Sequence, residues 1–259
     1  MWTQLDKERL RSLDPPQTQR KWLANPDVGK FVFALWGGIP KERWVSKIAP
    51  DAKRQLDDWQ KVRRGKGATG ANLVRKLNGS VYSFDDDARS VFDNIGLASE
   101  RLEDDSPACN TINGQWRRKV ISMRRTLEEH EQVLWLDIDC VLTRPIPPDF
   151  WRLLARGAAL QAPLQEHDRR HAFFRQGNAA RYLIGGWCWY CRETSILDRL
   201  LEIMDEHPDF IDEHALSFAI DEMTGGWQGP DHYRERGHHL PWVRARHILY
   251  APNDPVLVH

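Results

Sequence analysis

The chain carries no net charge: 37 lysines and arginines balance 37 aspartates and glutamates over 259 residues. That balance removes the global attraction to nucleic acid or to an acidic membrane surface on which a strongly basic protein relies. The first stretch, Met1 to Asn25, interleaves Asp, Lys, Glu and Arg with its apolar residues, so it has neither the apolar core of a signal peptide nor a membrane span. A cytoplasmic location is therefore expected. Cysteine is scarce, with only Cys109, Cys140, Cys188 and Cys191, too few for a disulfide-stapled secreted scaffold and consistent with reduced thiols. Cys188 and Cys191 form a C-x-x-C, but inside an aromatic run with no second pair nearby, the setting of a packed strand rather than of a zinc or redox centre. No internal repeat is visible, and the length suits one α/β unit rather than two halves.

Local charge is less even. Lys53 to Lys76 holds eight Lys/Arg against two Asp, and Asp85 to Asp105 holds eight Asp/Glu against two Arg. These segments read first as solvated surface and second as an acceptor-binding patch. Tryptophan is abundant at 12 residues, which serves either a core or a surface that stacks on sugar faces.

Apolar spacing predicts alternating strands and helices. Leu5, Leu10 and Leu13 suggest a short helix ending at Asp14-Pro15-Pro16. Lys30 to Trp36 reads as a buried strand closed by Gly37-Gly38 and Pro40. Asp51 to Val62 reads as a helix, Arg63 to Ala71 as a basic loop, and Gly79 to Phe84 as a second strand that runs into Asp85-Asp86-Asp87. Trp116, Val120, Met123 and Leu127 fall at helical spacing with a basic flank. Gln132 to Leu136 is then a compact strand. Gly157 to Ala162 and Tyr182 to Tyr190 read as further strands, the latter interrupted by Gly185-Gly186, a mark of close approach by backbone or ligand. A helix through Ile196, Leu200 and Ile203 stops before Pro208, and another through Leu216, Ala219 and Met223 ends at Gly225-Gly226. Short apolar pieces follow at His247 to Tyr250 and Val256 to Val258. The alternation predicts an α/β sheet.

The chemistry-bearing signal is Val133-Leu-Trp-Leu-Asp-Ile-Asp-Cys-Val-Leu142. Two carboxylates at a strand end cannot sit unpaired in an apolar core. Asp137 and Asp139 leave the strand together and can converge on one hard divalent cation, which prefers oxygen ligands. The alternative is a pair of acids that face solvent or cap a helix.

This segment resembles the D-x-D motif of GT-A fold glycosyltransferases, most closely the family 8 type. Leu183 to Tyr190 resembles that family's Asn-Ala-Gly strand, and Asp212-Glu-His-Ala-Leu-Ser-Phe218 resembles its Asp-Gln-x-x-Leu-Asn helix start, in the same order. The resemblance implies a GT-A fold with a central, mainly parallel sheet over 27–259 and an N-terminal helical extension over 1–26. It implies transfer of a sugar from a nucleotide diphosphate, a UDP-sugar foremost, with Mn²⁺ or Mg²⁺ between Asp137, Asp139 and the phosphates. Lys119 or Arg118 falls where the family places a basic residue near the donor. Trp36 and Gly37 fall at its nucleotide site, Asp85 near base or ribose, and Gly185 and Gly186 beside the donor. Asp212 and Glu213 are candidates for contact with sugar or acceptor, although Asp212 also suits a helix N-cap. His259 is the first candidate for a third metal ligand and His247 the second. Ile184 departs from the family's Asn. The acceptor stays open among glycan, protein, small molecule and modified nucleic acid, with retention of anomeric configuration favoured by the resemblance.

Two other readings compete. The strand and its acids also resemble the first motif of haloacid-dehalogenase-type phosphatases, in which the first Asp is a nucleophile. That family opens its fold with this strand and later needs a lysine, whereas no lysine follows Asp139. The other is a GT-A-like protein that binds sugar nucleotides without turnover.

Overall fold

The computed structural model of the protein describes residues 29–36, 73–75, 77–94, 96–110, 114–137, 140–142, 146–165, 183–208, 210–226, 228, 230–240, 243–244 and 257–258. The expected extension over 1–26, the Asp51 to Val62 helix, the basic loop after it and the piece at His247 to Tyr250 lie outside the described residues.

In chain order the elements are β1 (Lys30–Leu35), β2 (Ser80–Ser83), α1 (Asp86–Asn94), β3 (Glu100–Arg101), α2 (Arg117–Leu127), β4 (Val133–Leu136), β5 (Val141–Leu142) and α3 (Phe150–Ala155). Then come β6 (Leu160–Gln161), β7 (Leu164–Gln165), β8 (Leu183–Ile184), β9 (Cys188–Cys191), α4 (Thr194–Glu206), α5 (Asp212–Thr224), α6 (Pro230–Glu235), β10 (Val243–Arg244) and β11 (Leu257–Val258). Six strands form one sheet in the order β3-β2-β1-β4-β9-β6. β1 pairs in parallel with both β2 and β4, and β2 with β3, whereas β9 is antiparallel to β4 and to β6. Only β9 therefore runs against the rest, as an α/β sheet with mostly parallel strands.

The strands are apolar at successive positions because helices cover both faces. In β4, Leu134 and Leu136 pack on one side with Phe31, Phe33, Phe92, Phe150 and Leu154. Val133 and Trp135 pack on the other with Val120, Met123, Leu200, Ile203 and Ile220. Thus α1 and α3 lie on one face, and α2, α4 and α5 on the other. Cys188 and Cys191, three apart on β9, point to opposite faces and are fully buried. Burial raises both thiol pKa values, that of Cys191 to about 12, so neither is a thiolate at neutral pH.

Local signals set the ends. Asp85 caps α1 through Oδ1, which accepts from the Ala88 N–H at 2.7 Å. Gly225 ends α5 in the left-handed region, φ 75°, where glycine avoids the Cβ clash. The run from Tyr182 to Tyr190 differs from its sequence reading. Rather than one interrupted strand, it divides into β8, which pairs with β7 in a separate two-stranded sheet, and β9 in the main sheet. The Gly185-Gly186-Trp187 turn between them puts the chain at the end of β4. Among the described residues no helix is long and apolar enough to cross a membrane.

Candidate active site

Three crossings bring distant segments to the C-terminal edge of β4, the edge at which open α/β sheets bind ligands. The chain enters α2 at this edge and descends to β4, so Lys119, in the first turn of α2, sits above the strand end. Because β9 is antiparallel, its start lies beside the end of β4, with Leu136 opposite Cys188 and the Asp137 N–H donating to Trp187 O at 2.8 Å. The 13 residues of α4 then carry the chain back about 20 Å. That return puts Asp212, the first residue of α5, at the same edge.

These segments meet on one ammonium. Lys119 Nζ lies 2.9 Å from Asp137 Oδ1 and 2.8 Å from Asp212 Oδ2, and donates to Gly186 O at 3.0 Å. The ammonium thus makes one hydrogen bond, to the Gly186 carbonyl, and two close ion pairs. The ammonium also lies 4.8 Å from the Trp116 ring centroid and 5.3 Å from that of Trp135, over aromatic faces that favour a cation. Burial alone would lower the lysine pKa; Asp137 and then Asp212 overturn that and hold it well above its ordinary value, so Lys119 stays charged. Burial raises the Asp137 carboxyl above its usual range, with Lys119 pulling the other way.

Asp212 does not cap α5. The N-cap is Ile211, which makes no side-chain cap bond, and the Asp212 carboxylate turns to Lys119 instead. Glu213 Oε1 accepts from the Gly186 N–H at 3.3 Å. The close approach marked by the glycines is thus made by protein. A Cβ on Gly186 would lie 2.4 Å from Asp212 Oδ2, and one on Gly185 2.9 Å from Trp187 Nε1 and 3.0 Å from Pro163.

The other expected residues form a second group at the ends of β1 and β2. Trp36 Nε1 donates to Gln115 Oε1 at 2.8 Å, and its ring meets Phe84 and Trp116 edge to face. The Arg118 guanidinium stacks over Phe84 at 5.5 Å. Asp85 lies here as the cap of α1. Gly37, Asp139 and His259 lie outside the described residues, as does His247.

The donor chemistry suits a hard cation at Asp137. Its side chain is 26% exposed, against 3% for Lys119 and 6% for Asp212, so it is the member of the trio that opens outward. Among the described residues no group of three or more His, Cys, Asp or Glu is placed to hold a metal. The remaining expected ligands, Asp139 and His259, are those beyond description. Val258 pairs with Val141 in the antiparallel β11–β5 ladder, one residue before His259 and two after Asp139.

Sequence reasoning missed Trp135. Its indole N–H donates to Asp137 Oδ1 at 2.7 Å. The signal was available, since residues i and i+2 of a strand share a face.

No protein-family model matches the chain, and no curated protein matches it. Among solved structures it is similar to mouse xyloside xylosyltransferase 1 in its apo form, with TM-score 0.49 and 9% identity over 90% of this chain and 97% of that one. It is also similar to a cysteine-to-serine double mutant of a transferase, with TM-score 0.45 and 10% identity over 90% of this chain and 94% of the other. Neither likeness assigns this chain a donor, an acceptor or a metal.

Proposed function

We propose that the protein is a GT-A-type glycosyltransferase that moves a sugar from a nucleotide diphosphate, a UDP-sugar foremost, to an acceptor hydroxyl. One observation carries this reading. The three segments that resemble the family's motifs, far apart in sequence, all contribute an oxygen to Lys119 Nζ: Asp137, Gly186 and Asp212. A chance resemblance in unrelated surface segments gives no reason for that convergence.

Asp137, Asp139 and His259 would hold Mn²⁺ or Mg²⁺, which when bound supplies positive charge against the diphosphate that leaves. The chain's own residues prepare that place. Lys119 and Trp135 fix Asp137, and Glu213 fixes the Gly185-Gly186 turn. The first turns of α2 and α5 open onto the same edge, where helix N-termini favour anions. Trp36, Gly37 and Asp85 are assigned to the nucleoside side, and Arg118, like Lys119, to the donor sugar and phosphates. A phosphate contact by Lys119 requires exchange of one of its three present partners.

Asp137→Asn and Asp139→Asn are expected to abolish metal-dependent turnover while leaving the fold intact, checked by activity and circular dichroism; full activity in either would remove the reading. Thermal shift with UDP-, GDP-, ADP-, CDP- and TDP-sugars, with and without Mn²⁺, should give a metal-dependent rise for one base, because a ligand of the native state stabilises it. Removal of His259 should raise the metal requirement. The phosphatase reading is less well supported, since β1, β2 and β3 precede β4. A binder without turnover is separated by the activity assay.

A further inference from the structure

Among the described residues the Asp137 carboxylate is held through one oxygen only. Its Oδ1 accepts the Trp135 indole N–H at 2.7 Å and lies 2.9 Å from Lys119 Nζ, so two strong donors share that oxygen. Both come from the sheet face that carries α2, α4 and α5, and both belong to buried side chains, Trp135 at 2% and Lys119 at 3% exposure. The carboxylate itself is a quarter exposed. Burial of an indole does not by itself require such a bond. Trp189, directly opposite Trp135 in the β4–β9 ladder, is fully buried, and its Nε1 has no hydrogen-bond partner among the described residues.

We infer that Trp135 is a positioning residue for the metal: with Lys119 it ties down Asp137 Oδ1 and fixes the carboxylate rotamer, so that Asp137 offers its other oxygen, Oδ2, as a single-oxygen ligand. This rests on the metal-dependent reading above. Partners of metal-ligating carboxylates orient them, and their loss typically weakens metal affinity by about 10–100-fold.

The test measures Mn²⁺ affinity of the donor-free protein by the loss of the free-ion electron paramagnetic resonance signal. Trp135→Phe keeps an aromatic ring and deletes the N–H, and is expected to weaken Mn²⁺ binding by about tenfold or more. Trp189→Phe deletes an indole from the same face without touching Asp137, and should bind as the wild type does. In Asp137→Asn, addition of Trp135→Phe should cost nothing further, because the indole acts only through that carboxylate. Wild-type affinity in Trp135→Phe, or an equal loss in Trp189→Phe, overturns the inference and leaves the metal reading standing. A wild-type protein that takes up no Mn²⁺ overturns both. If Trp135→Phe does not fold, the wild-type protein decides: titration with diamagnetic Mg²⁺ should move one indole N–H resonance, and a spectrum in which none moves sinks the assignment.

Discussion

Lys119 is the residue on which the edge of the sheet depends. It stands in the first turn of α2, where the helix dipole disfavours a cation, and it is tolerated there because two carboxylates face it. Lys119→Met would leave Asp137 and Asp212 close together and uncompensated. Breaking a buried ion pair from one side costs about 3–5 kcal/mol, and urea denaturation should show a loss of that order. A loss below about 1 kcal/mol would place the pair at the level of a surface salt bridge. Gly186 is under the opposite constraint. A Cβ there meets Asp212 Oδ2 at 2.4 Å, and Asp212 cannot swing aside without leaving the ammonium. Gly186→Ala should therefore cost about 1–3 kcal/mol by overpacking and lower activity with it, read by denaturation and turnover.

At the residue scale the sequence disclosed identity better than role. Asp137 was visible because unpaired acids at a strand end need a reason, whereas Asp212 and the Gly185-Gly186 pair joined it as a set only through the resemblance to the family's motifs. That the reason was one lysine was not visible, since nothing in local spacing joins position 119 to position 212. Asp85 was singled out only by its place after β2, and the sequence did not disclose that its Oδ1 caps the helix it precedes.

Among elements, β4 and α4 follow directly from their apolar periods. β8 and β9 do not, because the Gly185-Gly186 interruption reads equally as a break within one strand and as a turn between two sheets, and only the pairing of β8 with β7 decides it. The segment after α6 carries a pH response. His238 is buried, and its Nδ1 lies 2.8 Å from Leu160 O at the edge strand β6. Burial first, then Arg236 and His232, lowers its pKa from the ordinary 6.5. A histidine whose folded pKa is depressed contributes stability that is fully present above 6.5 and is lost as pH falls through the folded value. His238→Asn, which keeps a donor in the place of Nδ1, should flatten the decline in melting temperature below pH 6.5 and leave it unchanged at pH 8; an equally steep decline would assign the response elsewhere.

For the whole molecule, the α/β class was legible because alternation of strand and helix survives without knowledge of contacts. The order β3-β2-β1-β4-β9-β6 was not, since no local pattern tells β9 to run against its neighbours. Yet that reversal is what lays the glycine turn beside Asp137. Had β9 been parallel to β4, Gly186 would stand at the far end of the sheet, and Lys119 would lack its third acceptor.

The convergence on Lys119 also bears on how the protein comes into being. As the chain is synthesised, α2 and β4 emerge together, but the carboxylate of Asp212 follows only after β9 and α4. Until then the ammonium has an incomplete set of partners and the edge of the sheet is not assembled. Completion of that edge thus waits until most of the fold is in place, because the last oxygen to reach Lys119 comes from the first residue of α5.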